Sequence, residues 1–174
     1  MVVLSRLKLP SQILQKVQSF LKRATDDSVE LSEELIEQFG EDCKDAIRKQ
    51  FTTKRESKFR TRMSNAGRPL CQLQMEKKGI KGEGQPYSNK MRNSFGDLIE
   101  ALSVLILKAS DVNVNSTQKG VTYDVDNTKI DGTYDIEIDN VIYDIKSASP
   151  WAFENKFGDN GGFSSIAEDD PFGY

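Results

Sequence analysis

The sequence of 174 residues contains no histidine. This absence excludes histidine-activated nucleophiles, histidine general bases and histidine metal sites. Two cysteines, Cys43 and Cys71, are too few for a structural zinc site or an iron–sulfur cluster within one chain. Hydrolytic chemistry is therefore left to carboxylates, lysines and tyrosines, or to these two thiols.

Long hydrophobic runs are also missing, and no secretory leader is expected. Met1–Leu4 is followed at once by the polar pair Ser5-Arg6, which does not fit a signal peptide. No apolar stretch approaches the length that spans a bilayer. The low cysteine content fits a reducing compartment. We therefore expect a soluble, cytoplasmic protein without a membrane partner.

Positive charge is concentrated in one part of the chain. Residues 44–92 contain fourteen Lys and Arg against four acids, a net charge of +10, whereas residues 93–174 contain fifteen acids against five lysines, a net charge of −10. A basic surface attracts a polyanion such as DNA. Chance segregation, or attraction between the two halves, is the alternative. The densest basic stretch predicts DNA-phosphate contacts by Lys54, Arg55, Lys58, Arg60 and Arg62.

A hairpin with opposed acids is predicted over residues 130–146. Asp139-Asn140 forms its two-residue turn, because both residues tolerate positive φ. That turn pairs Asp135 with Asp144, and side-chain alternation places both on one face. The other face is predicted to be core, and it carries Tyr134, Ile136, Ile138, Val141, Tyr143 and Ile145.

The opposed aspartates need a compensating charge, because like charges directly across a strand pair destabilise a sheet. A divalent cation with oxygen ligands would offset the repulsion. Lys146, two residues after Asp144, would point at the same site. A solvated acidic face, with Lys146 screening Asp135 and Asp144, is the alternative interpretation.

A helix is predicted over residues 94–108, upstream of the hairpin. Its apolar stripe consists of Leu98, Ala101, Leu102, Leu105 and Ile106. We expect this helix to be largely buried. Glu100 lies in these apolar surroundings, where an unpartnered charge is costly, so it either has solvent access at the edge or reaches a cation. Ser94 and Asp97 are the predicted N-terminal caps.

The rest of the chain is predicted to be scaffold. One amphipathic helix, opened by Pro10-Ser11, carries Ile13, Leu14, Val17, Phe20 and Leu21, and another carries Leu31, Leu35, Phe39, Cys43, Ala46, Ile47 and Phe51. Residues 79–90 are a predicted flexible connector. A strand over 121–125 is predicted to turn at Asp126-Asn127 into the hairpin. The predicted class is α+β, with helices followed by a three-stranded antiparallel meander.

These motifs resemble the PD-(D/E)XK nuclease superfamily, and within it the RecB-like and lambda-exonuclease-like phage branch. The shared order is Gly96-Xaa-Xaa-Xaa-Glu100 on a helix, Gly132-Xaa-Xaa-Asp135 on a strand, and Asp144-Xaa-Lys146 on the adjacent strand. The resemblance implies a helical basic region at 1–92 and a restriction-endonuclease-like α/β core at 93–174. It also implies Mg²⁺- or Mn²⁺-dependent hydrolysis of DNA, as by a phage-type exonuclease in DNA recombination or degradation. Such an enzyme would act in the cytoplasm of a bacterial host cell.

The resemblance further implies a role for each site residue. Asp135 and Asp144 would hold the cation together with the main-chain carbonyl of Ile145. Glu100 would bind the cation directly or through water. Lys146 would orient or deprotonate the attacking water and offset charge on the phosphorus.

The sequence departs from the family after the Asp-Xaa-Lys strand. RecB-like nucleases continue with a helix carrying Gln-Xaa-Xaa-Xaa-Tyr and usually a further strand, whereas this sequence stops at Tyr174. We therefore expect a second polypeptide or a second copy to complete the core. Three other functions stay open: a structure-specific endonuclease or junction resolvase, a non-catalytic DNA-binding or assembly part of a split nuclease, and a calcium-binding or scaffold protein.

Overall fold

The computed structural model describes residues 11–53, 59–65, 67–80, 87–147, 150–152 and 154–155. Within these ranges the protein has a mixed α+β fold, as predicted. The elements are α1 (Ser11–Thr25), α2 (Glu33–Phe51), α3 (Leu70–Lys77), α4 (Tyr87–Ala109), β1 (Val114–Val125), β2 (Thr128–Ile138), β3 (Val141–Tyr143) and the short α5 (Pro150–Ala152). None of the helices described is long and apolar enough to cross a membrane.

The sheet is an antiparallel meander in the order β1-β2-β3. Its two turns form where the sequence predicts, at Asp126-Asn127 and Asp139-Asn140, and all four residues have φ between 48° and 64°. Positive φ at both central residues defines a type I′ turn, whose twist matches that of the strands. The predicted register of the second hairpin is confirmed, with Ile136 opposite Tyr143.

The outer strand β3 ends sooner than predicted. Its ladder with β2 stops at Tyr143, so Asp144 and Ile145 follow the strand. The amide of Ile145 donates to Oδ2 of Asp135 at 2.8 Å. The Asp135 carboxylate thus accepts the bond that a main-chain carbonyl of β2 would accept if the ladder continued. Asp135 and Asp144 are therefore neighbours, but they are not the ladder pair that was predicted.

The first strand β1 is longer than the predicted strand over 121–125, because it begins at Val114. Its register with β2 shifts between Val114 and Ser116, and further along the strand Gln118 has a φ of 47°. The ladder with β2 passes from Thr117 to Lys119 without a Gln118 pair. Positive φ is unusual for a residue with a side chain, so this is a local distortion of the strand.

The core lies between α1, α4 and one face of the sheet. Its buried apolar residues are Ile13, Val104, Val112, Ile136 and Ile138. Tyr143 and Ile145 pack against this cluster, as predicted for that face. Two residues that were predicted to lie on this core face, Val141 and Tyr134, do not pack in the buried cluster. Val141 is exposed, and the hydroxyl of half-buried Tyr134 donates to the Glu137 carboxylate at 2.6 Å.

The helices are less buried than their apolar stripes predict. Leu14 and Leu21 of α1 are exposed although Ile13 is buried. The prediction that the helix at 94–108 is largely buried is wrong, because Ile99 and Leu102 are at least 40% exposed. An apolar stripe shows which face of a helix is apolar but not whether another element covers it. Among the described residues, no element covers the side of α4 that carries Ile99 and Leu102.

The start of α4 at Tyr87 corrects the predicted caps, because Ser94 and Asp97 lie inside the helix. Ser94 is buried, and its hydroxyl donates to the carbonyl of Lys90 at 2.8 Å. Asp97 accepts hydrogen bonds from Lys49 and Gln50 of α2 at 2.9 and 2.5 Å. Its structural role is therefore to join two helices. Residues 87–90 of the predicted connector belong to α4, and residues 81–86 lie outside the described ranges.

Candidate functional site

The predicted site residues meet at an open cleft of about 450 Å³ between α4 and the sheet. Glu100, Asp135, Ile145 and Lys146 line this cleft, and the charge of Asp144 is close enough to Asp135 to raise its pKa. We call it the carboxylate cleft. The structure therefore brings together the five residues that the sequence assigns to one site, although they come from a helix, a strand and the segment after β3.

Glu100 reaches the carboxylate cleft from α4. Its Oε1 accepts a hydrogen bond from Nε2 of Gln118. Partial burial raises the pKa of Glu100, the Gln118 hydrogen bond opposes that shift, and the nearby charge of Asp135 adds to it. Glu100 is thus half-buried, and its hydrogen-bond partner is a neutral amide. Burial and the nearby charge of Asp135 both disfavour its charged form.

Asp135 is half-buried on β2, and its two oxygens have different partners. Oδ2 accepts from the amide of Ile145 at 2.8 Å, whereas Oδ1 lies 3.5 Å from Nε2 of Gln118. Burial raises the pKa of Asp135, the Ile145 hydrogen bond lowers it, and neighbouring Asp144 raises it again. A close pair of carboxylates favours the binding of a proton or a cation.

Lys146 lies at the rim of the carboxylate cleft. Its Nζ is 3.1 Å from Oδ2 of Asp144, and the two side chains are 76% and 60% exposed. An ion pair this exposed adds little to stability. The ammonium group can therefore reorient toward a ligand at small energetic cost, and without one it screens Asp144.

Arg60 and Arg62 lie in a second open cleft, of about 410 Å³, which we call the arginine cleft. Arg62 forms a parallel bridge with Asp131 of β2. The amide of Asp131 donates to the carbonyl of Thr61 at 3.0 Å. The arginine segment therefore docks on the edge of β2 that β3 also uses.

Gly132 permits this docking. A Cβ built at Gly132 would lie 3.0 Å from Cγ of Met63, which is a very tight contact. Thr133 lines both the arginine cleft and the carboxylate cleft, so the two are adjacent. Of the five predicted DNA-binding residues, the structure places Arg60 and Arg62 here. Lys54, Arg55 and Lys58 lie outside the described residues.

Sequence reasoning did not assign Arg92 or Gln118 to the site, although both line the carboxylate cleft together with Thr133. Helical spacing would have found Arg92, because it is eight residues before Glu100 and so lies on the same face of α4. Strand alternation predicts Thr133 on the face of Asp135, two residues before it. Gln118 was missed because the predicted strand began at 121, whereas β1 begins at Val114 and its register places Gln118 level with Asp135.

The donors of the carboxylate cleft fit a hard cation. Magnesium is bound in proteins by one or two carboxylates, with water and substrate phosphate as the other ligands. Asp135, Asp144 and the carbonyl of Ile145 are donors of this kind. Among the residues that the structure describes, no group of three or more acidic or cysteine side chains is arranged to hold a metal ion. Glu100, Asp135 and Asp144 therefore do not form a three-carboxylate metal site as they lie among the described residues.

Comparisons with protein-family models, curated proteins and solved structures find no match. The resemblance to PD-(D/E)XK nucleases therefore depends on the three motifs, which lie on α4, on β2 and directly after β3. The restriction-endonuclease-like core and its completion by a second polypeptide or second copy stay predictions.

Proposed function

We propose that the protein is a metal-dependent deoxyribonuclease that hydrolyses DNA phosphodiesters, and that it acts as a phage-type exonuclease in DNA recombination or degradation. One observation carries the proposal. Glu100, Asp135 and Lys146 line one open cleft beside Asp144, with the three PD-(D/E)XK motifs on α4, on β2 and directly after β3. Like charges held close together across strands are destabilising, and a bound divalent cation would offset that repulsion.

The carboxylates would hold the cation. Asp135 and Asp144 are the primary ligands with the Ile145 carbonyl, and Glu100 contributes directly or through water. When bound, Mg²⁺ or Mn²⁺ supplies Lewis-acid polarisation of the phosphodiester. The amide of Ile145 holds Oδ2 of Asp135 at 2.8 Å, which fixes the orientation of this carboxylate.

Lys146 would serve the attacking water and the developing negative charge. In the absence of histidine, lysine and carboxylate side chains must orient water or accept its proton. The ammonium group of Lys146 is 3.1 Å from Asp144, so a phosphate held beside Asp144 lies within its reach. A cation at this position stabilises charge that develops on the phosphate oxygens.

The arginine cleft would position the DNA. Arg60 and Arg62 flank Asp131–Thr133 on β2, four residues or fewer before Asp135. Four strand residues span about 13 Å, which is within reach of a neighbouring phosphate of the same DNA strand. Phosphate contacts of this type fix register and carry no sequence preference.

The proposal is tested by incubating the protein with linear and closed circular DNA in Mg²⁺, Ca²⁺ or chelator. An exonuclease degrades linear DNA in Mg²⁺ and leaves closed circles intact. Cutting of circles would replace the exonuclease assignment by an endonuclease or junction resolvase. Salt-dependent DNA binding without cleavage would identify a non-catalytic module, and metal binding without DNA affinity would leave a calcium-binding or scaffold protein.

A further inference from the structure

Gln118 is the least expected residue at the carboxylate cleft. Its φ of 47° is in the left-handed region, which residues with side chains adopt rarely and at an energetic cost. Gln118 has no ladder partner of its own, although the strands keep one register on either side of it, with Thr117 opposite Ile136 and Lys119 opposite Tyr134. Such a conformation persists where the surrounding contacts hold it, and often at functional sites.

The contacts of Gln118 are with the two carboxylates that face each other across the cleft. Its Nε2 donates to Oε1 of Glu100 on α4 and lies 3.5 Å from Oδ1 of Asp135 on β2. Oδ2 of Asp135 is held separately by the amide of Ile145. The partly positive amide group therefore lies between two acids from different elements.

A cation bound to both acids would need the same space. Magnesium binds oxygen at about 2.0–2.1 Å, so an ion held by Oε1 of Glu100 and Oδ1 of Asp135 would lie between these two oxygens. The Nε2 of Gln118 already contacts one of these oxygens and approaches the other. The amide and the ion cannot both occupy this position.

We propose that Gln118 is a positioning residue that sets the cation affinity of the carboxylate cleft. Its amide holds Glu100 and Asp135 in place and withdraws when a cation takes both carboxylates. This inference rests on the proposed function, because it assumes a cation at that cleft. Each binding event then breaks a hydrogen bond to a charged acceptor, so Gln118 weakens cation binding and keeps it reversible.

Removal of the amide should consequently tighten binding. A hydrogen bond to a charged group contributes about a factor of ten or more to an equilibrium. Gln118→Met keeps the length of the side chain without the donor, and Gln118→Gly removes the side chain and relieves the backbone at positive φ. We expect both variants to bind Mn²⁺ about tenfold more tightly than the wild type.

The test is calorimetric titration of the full chain with Mn²⁺, with folding checked by thermal melting in chelator. Thr122→Val is the matched control, because Thr122 of β1 donates to the Asp131 carboxylate at 3.0 Å, outside the carboxylate cleft. The control should bind Mn²⁺ with the wild-type Kd. Gain of affinity in both Gln118 variants, but not in the control, supports the proposal.

Two results would overturn the proposed role of Gln118, and only one of them would also overturn the cation site. Unchanged or weaker binding in Gln118→Met and Gln118→Gly, with normal binding by the wild type, removes the role of Gln118 and leaves the proposed nuclease intact. No Mn²⁺ binding by the wild type or by either variant overturns the cation site itself, and the inference with it.

Discussion

Replacement of Asp144 by asparagine should leave the stability in chelator almost unchanged but remove the stabilisation by Mn²⁺. Asp144 neighbours Asp135 and pairs with Lys146 at 3.1 Å with both side chains exposed. Asp144→Asn removes a repulsion of roughly 0.2–1 kcal/mol and an exposed ion pair worth about 0–1 kcal/mol. These effects oppose each other, so we expect the free energy of unfolding in chelator to change by less than about 1 kcal/mol.

The response to Mn²⁺ should differ far more. At a concentration of about 100 times Kd, a ligand of the native state adds about 2.7 kcal/mol, which in a protein of this size raises Tm by roughly 5–10 °C. We expect this rise in the wild type and its loss in Asp144→Asn, because the variant lacks one of two primary carboxylate ligands.

Thermal melting with and without Mn²⁺ measures both effects. Asp124→Asn is the matched control, because Asp124 is an exposed acid at the far end of β1, and it should keep the full Mn²⁺ response. An equal Mn²⁺-dependent rise in Asp144→Asn and the wild type would refute the assignment of Asp144 as a ligand.

Two further predictions follow from the geometry. Gly132→Val should push Met63 and the arginine segment away from β2, since a Cβ there already lies 3.0 Å from Cγ of Met63. Fluorescence anisotropy should then show a salt dependence of DNA binding that is less steep by about two, one for each arginine. Mn²⁺ affinity should stay unchanged, and an unaltered salt slope would show that the arginine cleft does not bind DNA. Burial raises the pKa of Glu100, so the folded protein binds a proton there more tightly than the unfolded chain does. Stability in chelator should therefore fall as pH rises from the ordinary carboxylate pKa of about 4 through the raised value. Glu100→Gln should flatten this dependence in denaturant unfolding across that range, whereas an identical pH profile would contradict it.

Local signals in the sequence explain why the hairpins could be predicted. Two-residue turns such as Asp139-Asn140 set the register by their own φ angles, so the pairing of Ile136 with Tyr143 follows without knowledge of the rest of the chain. The neighbouring positions of Asp135 and Asp144 follow from the same register. The carboxylate pair was predictable for this reason.

Long-range contacts explain what could not be predicted. The early end of β3 depends on the bond between Ile145 and the Asp135 side chain, and the arginine segment reaches β2 through Thr61, far away in sequence. The left-handed Gln118 has no local signature, because glutamine does not favour positive φ. The exposure of Leu102 depends on which elements cover α4, and an apolar stripe does not report that.

The most direct test of the central claim is cleavage of linear DNA in Mg²⁺ by Lys146→Ala, measured together with DNA affinity. Lys129→Ala is the control, because Lys129 is an exposed lysine at the opposite end of β2 from Asp135. We predict that the wild type and the control cut DNA, and that Lys146→Ala binds DNA with similar affinity but does not cut it. Cleavage by Lys146→Ala at the wild-type rate would contradict the assignment of the carboxylate cleft as the nuclease site.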